Sequence, residues 1–283
     1  MRPRHRRNLL QVFAGGVAFA TVTPATATPT SKIALLHLAP LPGEIAANRT
    51  ALEQAVRRAA AHGARLIVSP ELAVSGYGFR DLVGTDWIAS GQSALFAWAG
   101  ALARETNASL VLGTPEAAVE NGALFNSMVL FAQGGTLVGR HRKINALRVG
   151  SESWSTPGDR PTVLTIDGIG RVGFFVCADM YSTRLVEETA ANGVDLLLSA
   201  AAWAPGHHGP DGEWERASAV TGRPVLVCNR TGKDVLDFEA ARSVTAVDGR
   251  IAFSHASPEP GIVLVDWTAD TRRLSNWRLT GAT

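Results

Sequence analysis

From Lys32 to near the end of the chain, short β-rich apolar runs alternate with stretches whose apolar residues recur at helical spacing. No other feature restricts the fold as strongly. IALLHLA at 33–39 reads as a buried strand, 46–62 as an amphipathic helix, and RLIVSP at 65–70 as a strand ending on proline. A helix around 92–106 leads to SLVLGTP at 109–115. LFNSMVLFAQ, the pair Gly134-Gly135 and TLVGRHRK then read as a hairpin with a glycine turn. The second half repeats the theme with TVLTI, a turn at Gly168 to Gly170, RVGFFVC at 171–177, a helix over 183–192 and VDLLLSA at 194–200. A helix around 213–221 and PVLVCN at 224–229 follow, and two last strands, SVTAV and IVLVDW, are expected to flank the turn dipeptide Asp248-Gly249. Strands alternating with helices early in each half, and hairpins late in each half, predict an α/β sandwich with its sheets inside helical layers. The halves read as rough echoes. No Gly/Ser-rich or Pro-rich linker divides them, so residues 28–283 are expected to form a single domain.

Residues 1–27 carry a different signal. Arg2, Arg4, Arg6 and Arg7 precede the apolar, small-residue stretch NLLQVFAGGVAFATVT, and Ala25-Thr26-Ala27 follows it. This is the order of an export signal peptide, and Arg6-Arg7 before Asn8-Leu9-Leu10 is similar to the twin-arginine type. The apolar run is short of the roughly 20 residues that span a bilayer. Cleavage after Ala27 is therefore expected, giving an exported, periplasmic or secreted bacterial protein with no stable membrane anchor and no lipid-bearing Cys at the cut.

Composition narrows the function classes. With 46% hydrophobic and 18% charged residues the chain can bury a core, which excludes a disordered tail or a collagen-like repeat. The formal charge of +2 comes from the leader. Without its four arginines, 23 Lys and Arg face 25 Asp and Glu, so the body has no basic footprint for nucleic acid. Two cysteines, Cys177 and Cys228, are too few for a disulfide scaffold and lack zinc-site spacing. His207-His208, beside Gly and Pro, has no further ligands at suitable spacing, so no metal is expected.

Three polar side chains stand where apolar strands stop, the place where α/β proteins put their sites. Glu71 follows LIVSP, Lys143 ends TLVGRHRK, and Cys177 ends RVGFFV. Each has an ordinary reading beside the chemical one. Glu71 could be a water-facing loop acid, Lys143 part of a solvated basic edge, and Cys177 a small buried hydrophobe. A thiol at a strand end also meets exposed backbone N–H groups, which favour a thiolate and can hold an oxyanion.

Together, these stretches resemble the nitrilase, or carbon-nitrogen hydrolase, superfamily. The resemblance is carried by PELAVSGY around Glu71, GRHRKINAL around Lys143, STPGDRP at 155–161 and RVGFFVCADMYS around Cys177. LLLSAAAW at 196–203, WERASAVTGRPVLVCNRTG at 214–232 and SVTAVDGR add to it, covering residues from about 32 to 267. It implies a four-layer α-β-β-α sandwich and a cofactor-free thiol hydrolase of the amidase-like branch. In that scheme Glu71 is the base, Cys177 the nucleophile, and Lys143 with the backbone N–H of Ala178 stabilises the tetrahedral oxygen. Many members carry a second glutamate between the Lys and the Cys. Glu152, the only acid between Lys143 and the Pro-Gly at 157–158, is the candidate, within a stretch NALRVGSES that departs from the usual pattern. Tyr181 is followed by Ser182-Thr183 where many members have Pro-Glu, which implies an altered pocket. Ala241-Arg242 stands where a Gly is common before Ser243. Tyr77 and Trp203, just past strand ends, could line the acyl pocket or belong to the core.

The resulting expectation is an exported amidohydrolase that cleaves a non-peptide linear amide or carbamoyl C–N bond of a small molecule through a Cys177 thioester, releasing ammonia or an amine. The resemblance also implies a homodimer or larger assembly. A nitrilase acting on a nitrile is the alternative within the superfamily, disfavoured because the chain stops soon after its last strand. A catalytically silent extracytoplasmic binding protein is the alternative from another class. A Cys-His hydrolase lacks a His in a comparable context.

Overall fold

The computed structural model describes residues 30–148, 150–206 and 208–282; the expected export segment at 1–27 lies outside the described residues. Two mixed sheets face each other. The first half supplies β1 (Thr30–His37), α1 (Ile45–Ala61), β2 (Ala64–Val68), α2 (Arg80–Val83), α3 (Asp86–Thr106), β3 (Ser109–Ala117), β4 (Leu124–Phe131) and β5 (Leu137–Arg142). The second supplies β6 (Thr162–Ile166), β7 (Gly170–Val176), α4 (Thr183–Ala190), β8 (Leu196–Ala201), α5 (Glu213–Thr221), β9 (Val225–Asn229), β10 (Ser243–Val247) and β11 (Arg250–His255). Finally β12 (Gly261–Thr268) and β13 (Arg273–Gly281) return to the first sheet. Strand orders are β13-β12-β1-β2-β3-β4-β5 and β11-β10-β9-β8-β7-β6.

The expected echo of the halves is visible in the pairing. β1, β2 and β3 are parallel, as are β7, β8 and β9, and each trio continues into antiparallel strands, β4 and β5 in one sheet, β10 and β11 in the other.

Parallel strands joined by crossover helices are buried on both faces, which is why they read as unbroken apolar runs. In β1, Ile33 and Leu35 enter the core between the sheets, whereas Ala34 and Leu36 turn outward to meet Leu52 and Val56 of α1 and Leu102 of α3. On the second sheet, Leu185 and Val186 of α4 and Trp214 and Ala217 of α5 cover the outer face. The α-β-β-α layering follows directly. Each fully buried Leu, Ile or Val contributes about 1.5–3 kcal/mol relative to exposure.

One expectation at the end of the chain needs correction. Asp248 and Gly249 do form a tight turn, with φ of 50° and 75°, the geometry that matches a twisted hairpin. The strand after it is β11, not IVLVDW, which forms β12 in the opposite sheet beside β1. β11 and β13 are edge strands, and about half of their residues are exposed, in strict alternation along β11. Their apolar signal is correspondingly weak next to that of β12, six of whose eight residues are buried.

Chain ends of several strands gather at one pole of the sandwich. Glu71 lies three residues beyond β2, Lys143 directly follows β5, Cys177 directly follows β7, and Ala202 directly follows β8.

Candidate active site

Glu71 is held where it is by a glycine. A Cβ on Gly113 of β3 would lie 2.1 Å from the Pro70 carbonyl oxygen and 3.0 Å from Glu71 Cα, so only glycine lets the Pro70–Glu71 segment cross β3 this closely. Gly113 N–H donates to Ser69 Oγ at 2.9 Å, and Ala73 N–H donates to Gly113 O at 2.9 Å, tying both sides of the crossing. Leu72 takes a left-handed φ of 51°, which turns the chain sharply just after the carboxylate.

Lys143 leaves β5 toward the interior. Its N–H donates to Asn126 O at 2.8 Å, and its own carbonyl accepts from Gly158 N–H at 2.7 Å. A Cβ on Gly158 would meet Arg142 O at 2.2 Å, so the Pro157-Gly158 segment is packed directly over the lysine backbone.

Cys177 is reached by an abrupt change of backbone. β7 ends at Val176, and Cys177 adopts φ +44° as it opens a short 3-10 helix, Cys177–Tyr181. For a residue with a Cβ that conformation is strained and is sustained by surrounding bonds. Asp179 supplies them. Its Oδ2 accepts from Val176 N–H at 2.8 Å and pairs with His141 Nε2 at 2.9 Å; its Oδ1 accepts from Ile144 N–H at 2.9 Å and Asn145 N–H at 2.8 Å. Asn145 Nδ2 also donates to Ala178 O at 3.1 Å. One buried carboxylate thus locks the segment bearing Cys177 to the segment bearing Lys143 across the two sheets.

The side chains converge. Lys143 Nζ donates to Glu71 Oε1 at 2.9 Å and to Glu152 Oε2 at 2.8 Å, and all three side chains are buried. Asn126 Nδ2 donates to the same two carboxylates, at 2.7 Å to Glu71 Oε1 and 2.9 Å to Glu152 Oε1. Glu71 Oε2 accepts from the Ala202 backbone N–H at 2.7 Å, and that N–H also serves the Cys177 sulfur. The sulfur lies within the electrostatic field of Glu71, Lys143 and Glu152.

The water-facing reading of Glu71 and the solvated-edge reading of Lys143 are excluded by their exposures of 1% and 0%. Such burial of an ammonium costs several kcal/mol, which two carboxylates in direct contact can offset. The charge states follow from the same contacts. Desolvation alone would depress the Lys143 ammonium, but the charges of Glu71 and Glu152 together hold its pKa well above the usual lysine value. Burial pushes the Cys177 thiol up, and the Glu71 charge adds to it, so the resting sulfur is protonated. Burial likewise raises Glu152, against the pull of Lys143.

Tyr77 is brought to this cluster as well. Burial raises its phenol, which feels Lys143, Glu71, Glu152 and Cys177. Its loop is pinned by Asp234, which accepts from Tyr77 N–H at 2.8 Å and Gly78 N–H at 2.9 Å and is itself paired with buried Arg230. Trp203 is buried; its ring meets Tyr181 edge-on at 4.7 Å, and its indole N–H donates to His208 O at 2.9 Å. Ala178 is the second residue of the 3-10 helix, directly after Cys177. Among the described residues no three His, Cys, Asp or Glu side chains group as a metal ion would require; His207 lies outside them.

The structure brings together Glu71, Lys143, Glu152 and Cys177, all singled out in the sequence, and adds Asn126, His141 and the Ala202 amide, which were not named from the sequence. A signal for Asn126 was available, since an amide inside the apolar run LFNSMVLF needs a partner once buried. None existed for Ala202, whose contribution is a backbone N–H.

Comparison with known proteins agrees with this geometry. Residues 32–275 match the carbon-nitrogen hydrolase family. A nitrilase of Pyrococcus abyssi is 29% identical over 170 residues, 59% of this chain and 63% of that protein. An omega-amidase of Pongo abelii is 30% identical over 152 residues, 50% of this chain and 53% of that protein. The chain thus aligns with less than two thirds of the length of either relative. Among solved structures, an amidase of Nesterenkonia sp. AN1 carrying acrylamide on its active-site cysteine superposes with a TM-score of 0.74, 23% identity, and coverage of 83% of this chain and 92% of that one. A complex of that amidase with butyramide gives a TM-score of 0.72 at 25% identity, covering 86% and 92%. With the match running through nearly all of the sandwich, this chain belongs to the carbon-nitrogen hydrolase family, in the nitrilase superfamily.

Proposed function

We propose that this chain is a thiol amidohydrolase that cleaves a linear, non-peptide amide or carbamoyl C–N bond of a small molecule, and that residues 1–27 export it. The observation that carries the reading is the buried Lys143 ammonium between Glu71 and Glu152, set against the Cys177 thiol. A neutral thiol in a buried site must lose its proton as it attacks, so a base has to stand beside it. Glu71 takes that role. It receives the proton, the sulfur bonds to the acyl carbon, and the carbonyl oxygen becomes an oxyanion facing Lys143 Nζ and the Ala178 N–H. Collapse breaks the C–N bond, and Glu71 returns the proton to the departing ammonia or amine. Water then gives a proton to Glu71 and attacks the thioester. The C–S bond breaks, the acid leaves, and the thiol recovers its proton.

Glu152 shares the lysine with Glu71 and keeps the ammonium directed into the site. Tyr77 and Trp203 form part of the wall around the acyl group. Relatives named omega-amidase and the butyramide complex of the Nesterenkonia amidase support an amide substrate.

The test is release of ammonia from a panel of amides, carbamoyl compounds and nitriles, with Cys177→Ala as control and mass spectrometry of the trapped acyl adduct. Release from amides or carbamoyl compounds, lost in Cys177→Ala, is expected. Release confined to nitriles would make it a nitrilase, and release from none would favour a binding protein.

A further inference from the structure

Asn126 occupies a position that the chemistry of the proposed hydrolase needs filled. Its two Nδ2 hydrogens have two acceptors, Glu71 Oε1 at 2.7 Å and Glu152 Oε1 at 2.9 Å, contributed by segments 55 and 26 residues away in the chain. The side chain is wholly buried, and its Oδ1 has no partner. That arrangement fixes which way the amide faces. Turned over, its oxygen would confront two carboxylates, and the cost of leaving Oδ1 unpaired is accepted to avoid this.

Two carboxylates sharing one ammonium in a buried site cannot both remain ionised without further donors. Lys143 supplies two hydrogen bonds, Asn126 on the neighbouring strand β4 supplies two more, one to each carboxylate, and the Ala202 N–H supplies a fifth, to Glu71 Oε2. Lysine alone would also leave the Glu152 carboxylate with one oxygen unpartnered, since Glu152 Oε1 has Asn126 as its donor. Asparagine is the suitable residue here: it donates twice from one nitrogen and carries no charge at any pH.

We infer that Asn126 is a positioning residue of this site, which aims Glu71 as base and favours the carboxylate form of the pair by bonding both glutamates through one amide nitrogen. This rests on the hydrolase reading above. The charged and titratable groups facing the pair are Lys143, Cys177 and Tyr77, with Arg230 near Glu71.

The experiment measures kcat/KM against pH for wild type, Asn126→Leu, Asn126→Asp and Asn126→Ser, alongside the pH dependence of Cys177 alkylation by iodoacetamide. Activity requires the base in its carboxylate form, so the acid limb of both profiles reports protonation of the hydrogen-bonded glutamate pair. Removing donors from a carboxylate raises its pKa, and the limb moves to higher pH. The expected shift is about one unit for Asn126→Leu, more for Asn126→Asp, which adds a third carboxylate, and less for Asn126→Ser, which keeps one donor. Circular dichroism identifies which variants fold, and Asn126→Ser, the mildest, carries the test if the others do not. An acid limb unmoved in folded variants, with rates lowered equally at all pH, overturns the inference and leaves Asn126 a packing residue. Failure of the hydrolase reading looks different: wild type releases no product, while the alkylation limb can still be read.

Discussion

Lys143 Nζ lies 2.9 Å from Glu71 Oε1 although the two residues are 72 positions apart, and neither side chain is exposed to solvent. The pair joins the loop after β2 to the end of β5, and the sulfur after β7 completes the group from the other sheet. Attraction in a buried environment holds such a pair together, but only where the fold has already brought its backbones into register.

Replacing Lys143 by Met keeps the length and removes the charge. Turnover of the best amide is expected to fall about 10²-fold or more, because the developing oxyanion loses its cation. Steady-state kinetics of the folded variant checks this, and an unchanged rate would remove Lys143 from the reaction.

Gly113→Ala tests how Glu71 is placed. The added methyl would stand 2.1 Å from Pro70 O, so the segment bearing Glu71 must shift. We expect a stability loss of about 1–3 kcal/mol and a fall in kcat approaching 10²-fold, the effect of a misplacement near 1 Å. Urea unfolding and kinetics together decide it; full activity at reduced stability would show that Glu71 tolerates the shift.

Asp179→Asn addresses the lock between Cys177 and Lys143. The amide retains one acceptor oxygen for four donors and turns an NH2 toward two of them. Leaving buried donors unpaired costs about 1–3 kcal/mol each, so a loss of at least about 2 kcal/mol is expected in denaturant unfolding. Wild-type stability would mean that the 3-10 helix is held by other contacts.

Stability should also fall in mild acid through His37. Burial, reinforced by neighbouring His255, lowers its pKa from 6.5 to about 4. The folded protein therefore favours neutral His37 while the unfolded chain binds the proton readily. Its contribution is present above pH 6.5 and is lost as pH falls toward 4, by up to about 3 kcal/mol. Unfolding midpoints measured from pH 7 to 4 should drop more steeply in wild type than in His37→Asn. Parallel slopes would assign the acid sensitivity elsewhere.

Much of this protein is legible in its sequence for a physical reason. Strands buried on both faces, such as β1, β7 and β8, must be apolar throughout, and polar residues at their ends become visible by contrast; Glu71 and Cys177 stand out that way. Edge strands β11 and β13 give no such contrast, since solvent covers half of their residues, and the pairing of SVTAV was misassigned for that reason. Asn126 and His141 were passed over because a polar side chain in a strand has no fixed meaning until its partner is known.

The sequence by itself determined the alternation of strands and helices, the layers that must follow from it, and which residue types stand at strand ends. Tertiary structure alone decided that Glu71, Glu152 and Asn126 share one lysine, that the Ala202 amide serves both carboxylate and sulfur, and that Asp179 ties two sheets together. Apolar periodicity is written locally, because each residue is buried by its own element. Hydrogen bonds between segments tens of residues apart depend on chain crossing and sheet register, which no local run of residues encodes.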